Sequence, residues 1–221
     1  MRLFVGVPVS LETCDGLSGA AESLARRAQN AKVKVRWLAP ATYHVTLKFI
    51  GWTRRDAADA LGDALARAVA AAQQAPFSFR TARLGAFPTA DRASVVWAGV
   101  EDKASGLTRL ASAIDRELEE VGVPAERRGF HPHVTLGRLR EPADVSQVLL
   151  PFSEQVFSET RLTEVVLFES RTKSGGSEYS AIRREALFRA ENEPKRQSAD
   201  VEPTQFDASD DGWDRDSERR H

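Results

Sequence analysis

Cysteine is almost absent from this sequence. Cys14 is the only one among 221 residues, so it can form no intramolecular disulfide and supplies no thiolate cluster for a metal. We therefore expect a protein of the reducing cytoplasm. No apolar run approaches the ~18 residues of a membrane-spanning helix, and the strand-like pattern after Met1 does not read as a signal peptide. The sequence predicts no association with membranes.

A strong excess of charge of either sign is also missing. The net charge is −1, and 42% of the residues are hydrophobic, which is enough for one folded domain. The charge is unevenly distributed, because residues 191–221 carry ten acidic and five basic residues, so that the preceding part carries +4. We expect a folded domain over residues 1–189 and an acidic, disordered tail over 190–221, because the tail has too little apolar surface to repay its ordering entropy.

Histidine is scarce too, yet two of the four histidines open identical tetrapeptides. These are His44-Val45-Thr46-Leu47 and His133-Val134-Thr135-Leu136, 89 positions apart. Composition alone would produce such a match with odds of roughly one in several hundred. The spacing is too long for a local repeat and suits two halves of one domain that supply equivalent strands to a shared cleft.

Each tetrapeptide alternates polar and apolar residues, which is the period of a half-buried strand. His44 and Thr46 would share one face, as would His133 and Thr135, while valine and leucine enter a core. Two facing imidazoles can act as general base and general acid, and two hydroxyls can donate to anionic oxygens. A single His-x-Thr on a strand is usually ordinary sheet surface, but the duplication favours catalysis on a phosphodiester.

The remaining periodicity predicts an α+β fold. Helical spacing is expected over residues 10–31, 54–74 and 105–121, with a short helix near 143–150. Strands are expected over 2–8, 32–38, 43–50, 77–87, 93–100, 133–139, 152–157, 162–170 and 178–188.

The sequence resembles the two-histidine (2H) phosphoesterase superfamily, and within it the RNA 2′,3′-cyclic phosphodiesterases of the 2′-5′ RNA ligase-like family. The resemblance covers about residues 1–189. It implies two pseudo-symmetric lobes of antiparallel sheet with outer helices and a central cleft that carries both motifs. Besides the two tetrapeptides, the motifs that carry it are residues 1–8, 36–38, 83–88, 130–133 and 137–138.

The resemblance also implies an activity, which is hydrolysis of RNA 2′,3′-cyclic phosphate ends, including those of tRNA fragments, to a 2′-phosphate. His44 and His133 would transfer protons, and Thr46 and Thr135 would hold phosphoryl oxygens. It implies that Arg138 binds phosphate and that a nucleobase stacks on Phe49. The roles of Arg138 and Phe49 rest on the resemblance and not on strand periodicity.

Strict alternation conflicts with two of these roles. It places Phe49 in the core with Val45, and it places Arg138 on the face opposite His133 unless a bulge or kink occurs at Gly137. It places Lys48 beside His44 and Thr46, where the ammonium could approach a phosphate or simply be solvated. His131, two residues before His133, is a candidate for orienting the start of that strand.

We expect no metal and no cofactor, since His44, His131, His133 and distant Cys14 form no ligand set with recognisable spacing. We also expect a monomer. Four alternatives stay open: action on small cyclic nucleotides, 2′-5′ ligation of RNA halves, a non-catalytic RNA-binding module, and a metal-dependent phosphoesterase.

Overall fold

The computed structural model describes residues 1–173 and 176–188. Nine strands and four α-helices are present in that part of the chain. The strands are β1 (Arg2–Pro8), β2 (Val35–Trp37), β3 (His44–Trp52), β4 (Phe77–Phe87), β5 (Ala93–Glu101), β6 (His133–Ala143), β7 (Val156–Leu162), β8 (Glu164–Lys173) and β9 (Gly176–Ala186). The helices are α1 (Leu11–Asn30), α2 (Ala58–Ala72), α3 (Gly106–Glu119) and α4 (Ser146–Leu149).

Helices α1 and α3 begin and end within two residues of the predicted bounds, whereas α2 begins at Ala58, four residues after the predicted start, because a 3₁₀ turn occupies Arg55–Ala57. Ser10 caps α1, because its hydroxyl accepts a hydrogen bond from the Thr13 amide at 3.2 Å. Helix α3 buries its apolar stripe completely, and Gly122 follows it with a positive φ of 89°, which a residue without Cβ adopts at no steric cost. The stripe consists of Leu107, Leu110, Ile114 and Leu118.

Two predicted strands are wrong in extent. The strand expected over residues 32–38 is reduced to Val35–Trp37, because the Val33 amide donates to the Ala28 carbonyl and closes the end of α1. The strand expected over 152–157 is instead a 3₁₀ turn over Leu150–Phe152, and β7 begins only at Val156. Proline is tolerated in the first turn of a helix, where Pro151 lies, and buried Phe152 holds that turn against the core.

The described strands form one antiparallel sheet in the order β7-β4-β5-β6-β3-β1-β8-β9, with β2 paired to β6. Its two halves, β6-β5-β4-β7 and β3-β1-β8-β9, meet at a single residue pair, Val45 with Val134. Helix α3 packs on β3 and α2 on β8 and β9, whereas α1 packs on β7 of the other half. The α+β class and the pseudo-symmetric lobes with outer helices are confirmed, and the lobes are continuous through β3 and β6.

The predicted acidic tail over residues 190–221 lies outside the described residues, so the domain boundary at residue 189 stays a prediction. No helix in the described residues is long and apolar enough to cross a membrane.

Candidate active site

The two His-x-Thr strands meet at the centre of the sheet. β3 and β6 are antiparallel and pair through Val45 and Val134, the second residue of each tetrapeptide. Counting outwards from that pair brings His44 towards Thr135 and Thr46 towards His133. Both valines are fully buried, so the imidazoles and hydroxyls share the opposite face. The structure therefore brings the four predicted motif residues together around one pseudo-two-fold axis.

The His44 ring is held by the residues two positions before and two positions after it in the chain. Its Nδ1 lies 2.7 Å from the Thr42 carbonyl oxygen, which can only accept, so Nδ1–H donates. Its Nε2 lies 3.0 Å from Thr46 Oγ1. The neutral imidazole thus keeps the lone pair of Nε2 available, and the Thr46 hydroxyl can donate to it.

The Nδ1 contact of His44 is repeated by His133 in the other lobe. Its Nδ1 donates to the His131 carbonyl oxygen at 2.7 Å. His131 precedes His133 by two residues, just as Thr42 precedes His44. The orientation of His133 therefore depends on the backbone of His131. The His131 side chain is exposed and lines the cleft. Any residue at position 131 could supply the carbonyl, so no side-chain role is required for this contact.

A β-bulge follows the threonine in both strands. In β3, Thr46 pairs with Gly6 and Lys48 with Val5, which leaves Leu47 as the extra residue. In β6, Thr135 pairs with Trp97 and Gly137 with Val96, which leaves Leu136 as the extra residue. A bulge of this kind reverses the alternation of the residues after it.

The bulges decide where Phe49 and Arg138 lie. Phe49 pairs with Phe4, which shares a face of β1 with the Gly6 opposite Thr46, so Phe49 lies on the open face and is 59% exposed. The alternation that placed Phe49 in the core is wrong. In β6, Arg138 pairs with Val95, two residues from the Trp97 opposite Thr135, so its exposed side chain lies on the cleft face. The bulge expected near Gly137 is present.

Lys48 lies in the interior, although strict alternation placed it on the open face. The bulge turns it away from His44 and Thr46 into the interior, where the residue is 5% exposed. Its ammonium forms an ion pair with Asp115 of α3 and donates to the Pro124 carbonyl at 2.6 Å. Asp115 also accepts from the Glu126 amide at 3.1 Å. Lys48 therefore braces the segment between α3 and β6 and lies too deep for the solvated position that alternation predicted.

Aromatic rings surround both imidazoles, and sequence reasoning missed most of them. The Phe4 ring centroid lies 4.7 Å from that of His44, and Tyr179 meets His44 edge-on at 5.2 Å. Phe87 meets His133 edge-on at 5.0 Å. Phe4 and Phe87 fall within the segments that carried the family resemblance, but Tyr179 lies in β9 with no local motif to mark it.

A cavity of about 750 Å³ opens on this face. Its lining runs from the motif residues of β3 and β6 to the segment before β6, and it includes Thr46, Phe49, His133, Thr135 and Arg138. Phe87, Pro88 and residues 128–131 also line it, and the lining continues past Lys48 to residues 111, 112 and 115 of α3. The space suits a ligand of nucleotide size.

Burial and positive charge act in the same direction on both imidazoles. Burial is the largest cause that lowers the pKa of His44 below its ordinary value of 6.5, and the charges of His133 and Arg138 lower it further, against the hydrogen bond to Thr42. Burial likewise lowers the pKa of His133, with smaller contributions from Arg138 and His131. Because the His133 charge lowers the pKa of His44, the first proton taken up by the pair disfavours the second.

Among residues 1–173 and 176–188, no three His, Cys, Asp or Glu side chains lie close enough together to hold a metal ion. The His44 and His133 rings are instead oriented by backbone carbonyls. Two imidazoles that are oriented through Nδ1 in this way are suited to proton transfer at Nε2.

A curled antiparallel sheet with outer helices and two symmetry-related His-x-Thr strands defines a 2H phosphoesterase. Comparison with known families agrees, since the profile of the 2′-5′ RNA ligase superfamily matches residues 19–173. The chain belongs to that superfamily, as the resemblance predicted.

Similar proteins of known sequence and structure support this assignment. An RNA 2′,3′-cyclic phosphodiesterase of Aquifex aeolicus is 27% identical over 82% of this chain and 95% of its own length. One from Aeropyrum pernix is 36% identical over 49% of this chain, a match that spans 59% of that relative. The crystal structure of the Thermus thermophilus protein TT0787 has a TM-score of 0.69 and 27% identity, covering 86% of this chain and all of that one.

Proposed function

We propose that this protein is an RNA 2′,3′-cyclic phosphodiesterase that hydrolyses a cyclic phosphate end to a 2′-phosphate without a metal ion. The Aquifex aeolicus relative that carries this activity in its name matches 82% of this chain, and the profile of the 2′-5′ RNA ligase superfamily matches residues 19–173. The observation that carries the proposal is the duplicated geometry of the imidazoles. Each Nδ1 donates to the carbonyl two residues earlier, which leaves Nε2 as the proton-exchanging atom of each ring, on two strands that meet at the centre of the sheet.

Hydrolysis needs one proton removed and one supplied. A water molecule attacks the phosphorus while one imidazole accepts its proton at Nε2. The P–O3′ bond breaks, and the other imidazole, already protonated, donates to the departing 3′ oxygen. The product therefore keeps its phosphate on the 2′ oxygen. Proton transfer by His44 and His133 accounts for both steps, and the mutual charge repulsion of the pair favours the singly protonated state that the reaction requires.

The neighbouring donors suit the charge on the phosphoryl oxygens. Thr46 and Thr135 flank the imidazoles, and we assign them to two of these oxygens, with the Arg138 guanidinium adding a fixed positive charge. Arg138 lies close enough to lower the pKa of both imidazoles, which supports an effect at the reacting phosphate. Phe49 is exposed at the cavity edge, where a base of the terminal nucleotide could stack.

The test is turnover of an RNA with a 2′,3′-cyclic phosphate end in the presence of a chelator. His44→Ala and His133→Ala should each lower kcat/KM by about 10²–10⁴-fold, the usual contribution of a positioned acid or base. His131→Ala is the matched control, because the carbonyl that orients His133 is retained. Its rate should stay within a few-fold of the wild type.

The position of the product phosphate completes the experiment. A 2′-phosphate in chelator supports the proposal. Near-full activity of either motif-histidine variant would contradict the mechanism, and activity that disappears in chelator and returns with a divalent ion would favour the metal-dependent alternative. Tight RNA binding without turnover would favour the binding module. The cytoplasmic location, the monomeric state and tRNA fragments as substrates stay predictions.

A further inference from the structure

A second guanidinium lies beside Arg138 at the edge of the cleft. Strand β2 pairs with β6 through Arg36 and Arg138, directly opposite each other in the antiparallel register. Residues opposite each other in such a pair direct their side chains to the same face. Arg138 is on the cleft face, so Arg36 is too, and both side chains are exposed.

Two like charges placed directly opposite each other on a sheet destabilise it unless an anion lies between or beside them. Throughout residues 1–173 and 176–188, neither Arg36 nor Arg138 makes an ion pair with a carboxylate within 4.0 Å, although nearby Arg171 and Lys173 do. The arrangement therefore leaves two forked donors at the cleft edge, a geometry that suits phosphate oxygens.

The two guanidiniums differ in their electrostatic effect on the motif histidines. Arg138 lowers the pKa of His44 and of His133 by its charge, whereas Arg36 is not among the charges that shift either group. Arg36 reaches the other way, towards the start of β9, where a Cβ added at Gly176 would lie 3.8 Å from its Nη2 atom. Arg36 thus neighbours both Arg138 and the start of β9.

The pseudo-symmetry of the lobes indicates on which side the RNA chain leaves. Phe49 and Arg138 each lie five residues after the motif histidine, and both follow a bulge, so they are equivalent positions. One presents an exposed aromatic ring and the other a guanidinium. A terminal base therefore suits the β3 side, and the negatively charged chain suits the β6 side, where Arg36 lies.

We propose that Arg36 binds the phosphodiester that precedes the terminal nucleotide, so that Arg36 and Arg138 together hold two successive phosphates of an RNA strand. This inference rests on the proposed function and narrows the substrate to an RNA end with at least one internal phosphate. Mononucleotide cyclic phosphates would lack the group that Arg36 contacts.

The test uses two dinucleotides that both end in a 2′,3′-cyclic phosphate. One has an ordinary phosphodiester linkage, and the other has an uncharged methylphosphonate at that position. The wild type should prefer the charged linkage by roughly 10- to 100-fold in kcat/KM, the range of a hydrogen bond to a charged group. In Arg36→Gln the preference should fall close to unity, and Arg36→Lys should restore part of it.

The salt dependence provides an independent readout. For the charged dinucleotide, the slope of log kcat/KM against log salt should become shallower by about 0.7 in Arg36→Gln, as expected for the loss of one contact to a single strand. Arg26→Gln is the matched control, since Arg26 is an exposed arginine on α1 and not on a strand of the cleft. That variant should keep both the wild-type preference and the wild-type slope.

Two results would overturn the inference. One is a wild type with no preference for the charged linkage. The other is an Arg36→Gln variant that keeps the wild-type preference, whether its turnover is unchanged or falls equally on both dinucleotides. In each case wild-type turnover of the cyclic phosphate would leave the proposed function standing. A wild type that turns over neither dinucleotide would refute the proposed function itself.

Discussion

The ion pair between Lys48 and Asp115 should be a main determinant of stability at the site. Lys48 lies on the bulged part of β3, immediately after the first motif, and Asp115 lies on α3. Through the Pro124 carbonyl and the Glu126 amide, the pair also holds the segment that leads into the second motif. The perturbations are Lys48→Met, which keeps the length of the side chain, and Asp115→Asn, which keeps its shape.

The burial of the two partners sets the expected magnitudes. Breaking a buried pair by removing one partner costs about 3–5 kcal/mol when the remaining charge is fully enclosed. The Lys48 side chain is 4% exposed and that of Asp115 is 26% exposed. Asp115→Asn leaves the more deeply buried charge behind, and we expect a loss of about 3 kcal/mol. Lys48→Met leaves a carboxylate that still reaches solvent and the Glu126 amide, so we expect about 2 kcal/mol.

Equilibrium urea unfolding of the full chain measures these losses. The double variant should cost less than the sum of the single variants, with a coupling energy of about 1–2 kcal/mol. The exposed pair of Arg54 and Asp56 is the matched control, because both side chains are mostly in solvent. Asp56→Asn should produce no measurable shift of the unfolding midpoint.

The prediction depends most on which of the two variants, Asp115→Asn or Lys48→Met, loses more stability. If Lys48→Met were costlier than Asp115→Asn, burial of the unpaired charge would not be the main cause of the lost stability. If the two losses were additive, the pair would contribute nothing beyond its separate contacts. Turnover measured where all variants are folded should fall severalfold in Lys48→Met, because the braced segment carries one wall of the cavity.

Two further predictions concern the cleft itself. Because burial and neighbouring charge lower the pKa of both motif imidazoles below 6.5, the singly protonated pair is lost as pH rises, and the alkaline limb of kcat/KM should have its midpoint below that value. Arg138→Gln removes a cause of the lowering and should move this midpoint upwards; an unmoved midpoint would contradict the electrostatic account. Gly85→Ala would place a Cβ 2.3 Å from the Trp97 ring beside His133, so we expect a loss of about 1–3 kcal/mol and lower turnover. Gly19→Ala in α1 is the control, since a Cβ there meets nothing within 4 Å, and urea unfolding should show no loss of stability.

The period of two explains why the motif residues could be predicted. Over four residues the alternation from His to Thr is uninterrupted, and it correctly placed Val45 and Val134 in the core and the polar residues on the other face. The long helices were predictable for a similar reason, because their apolar stripes repeat over several turns. The short elements were not, since Val35–Trp37 and Leu150–Phe152 are shaped by contacts with their surroundings.

Local sequence thus determined the α+β class, the two equivalent strands and the shared faces of His44 with Thr46 and of His133 with Thr135. Tertiary structure alone decided the direction of the side chains after each threonine. The extra residue of a bulge is defined only by the partner strand, β1 for Leu47 and β5 for Leu136. Pairing between distant segments therefore exposes Phe49 and Arg138 to the cleft and buries Lys48 against Asp115, because a shift of one residue reverses every side chain after it.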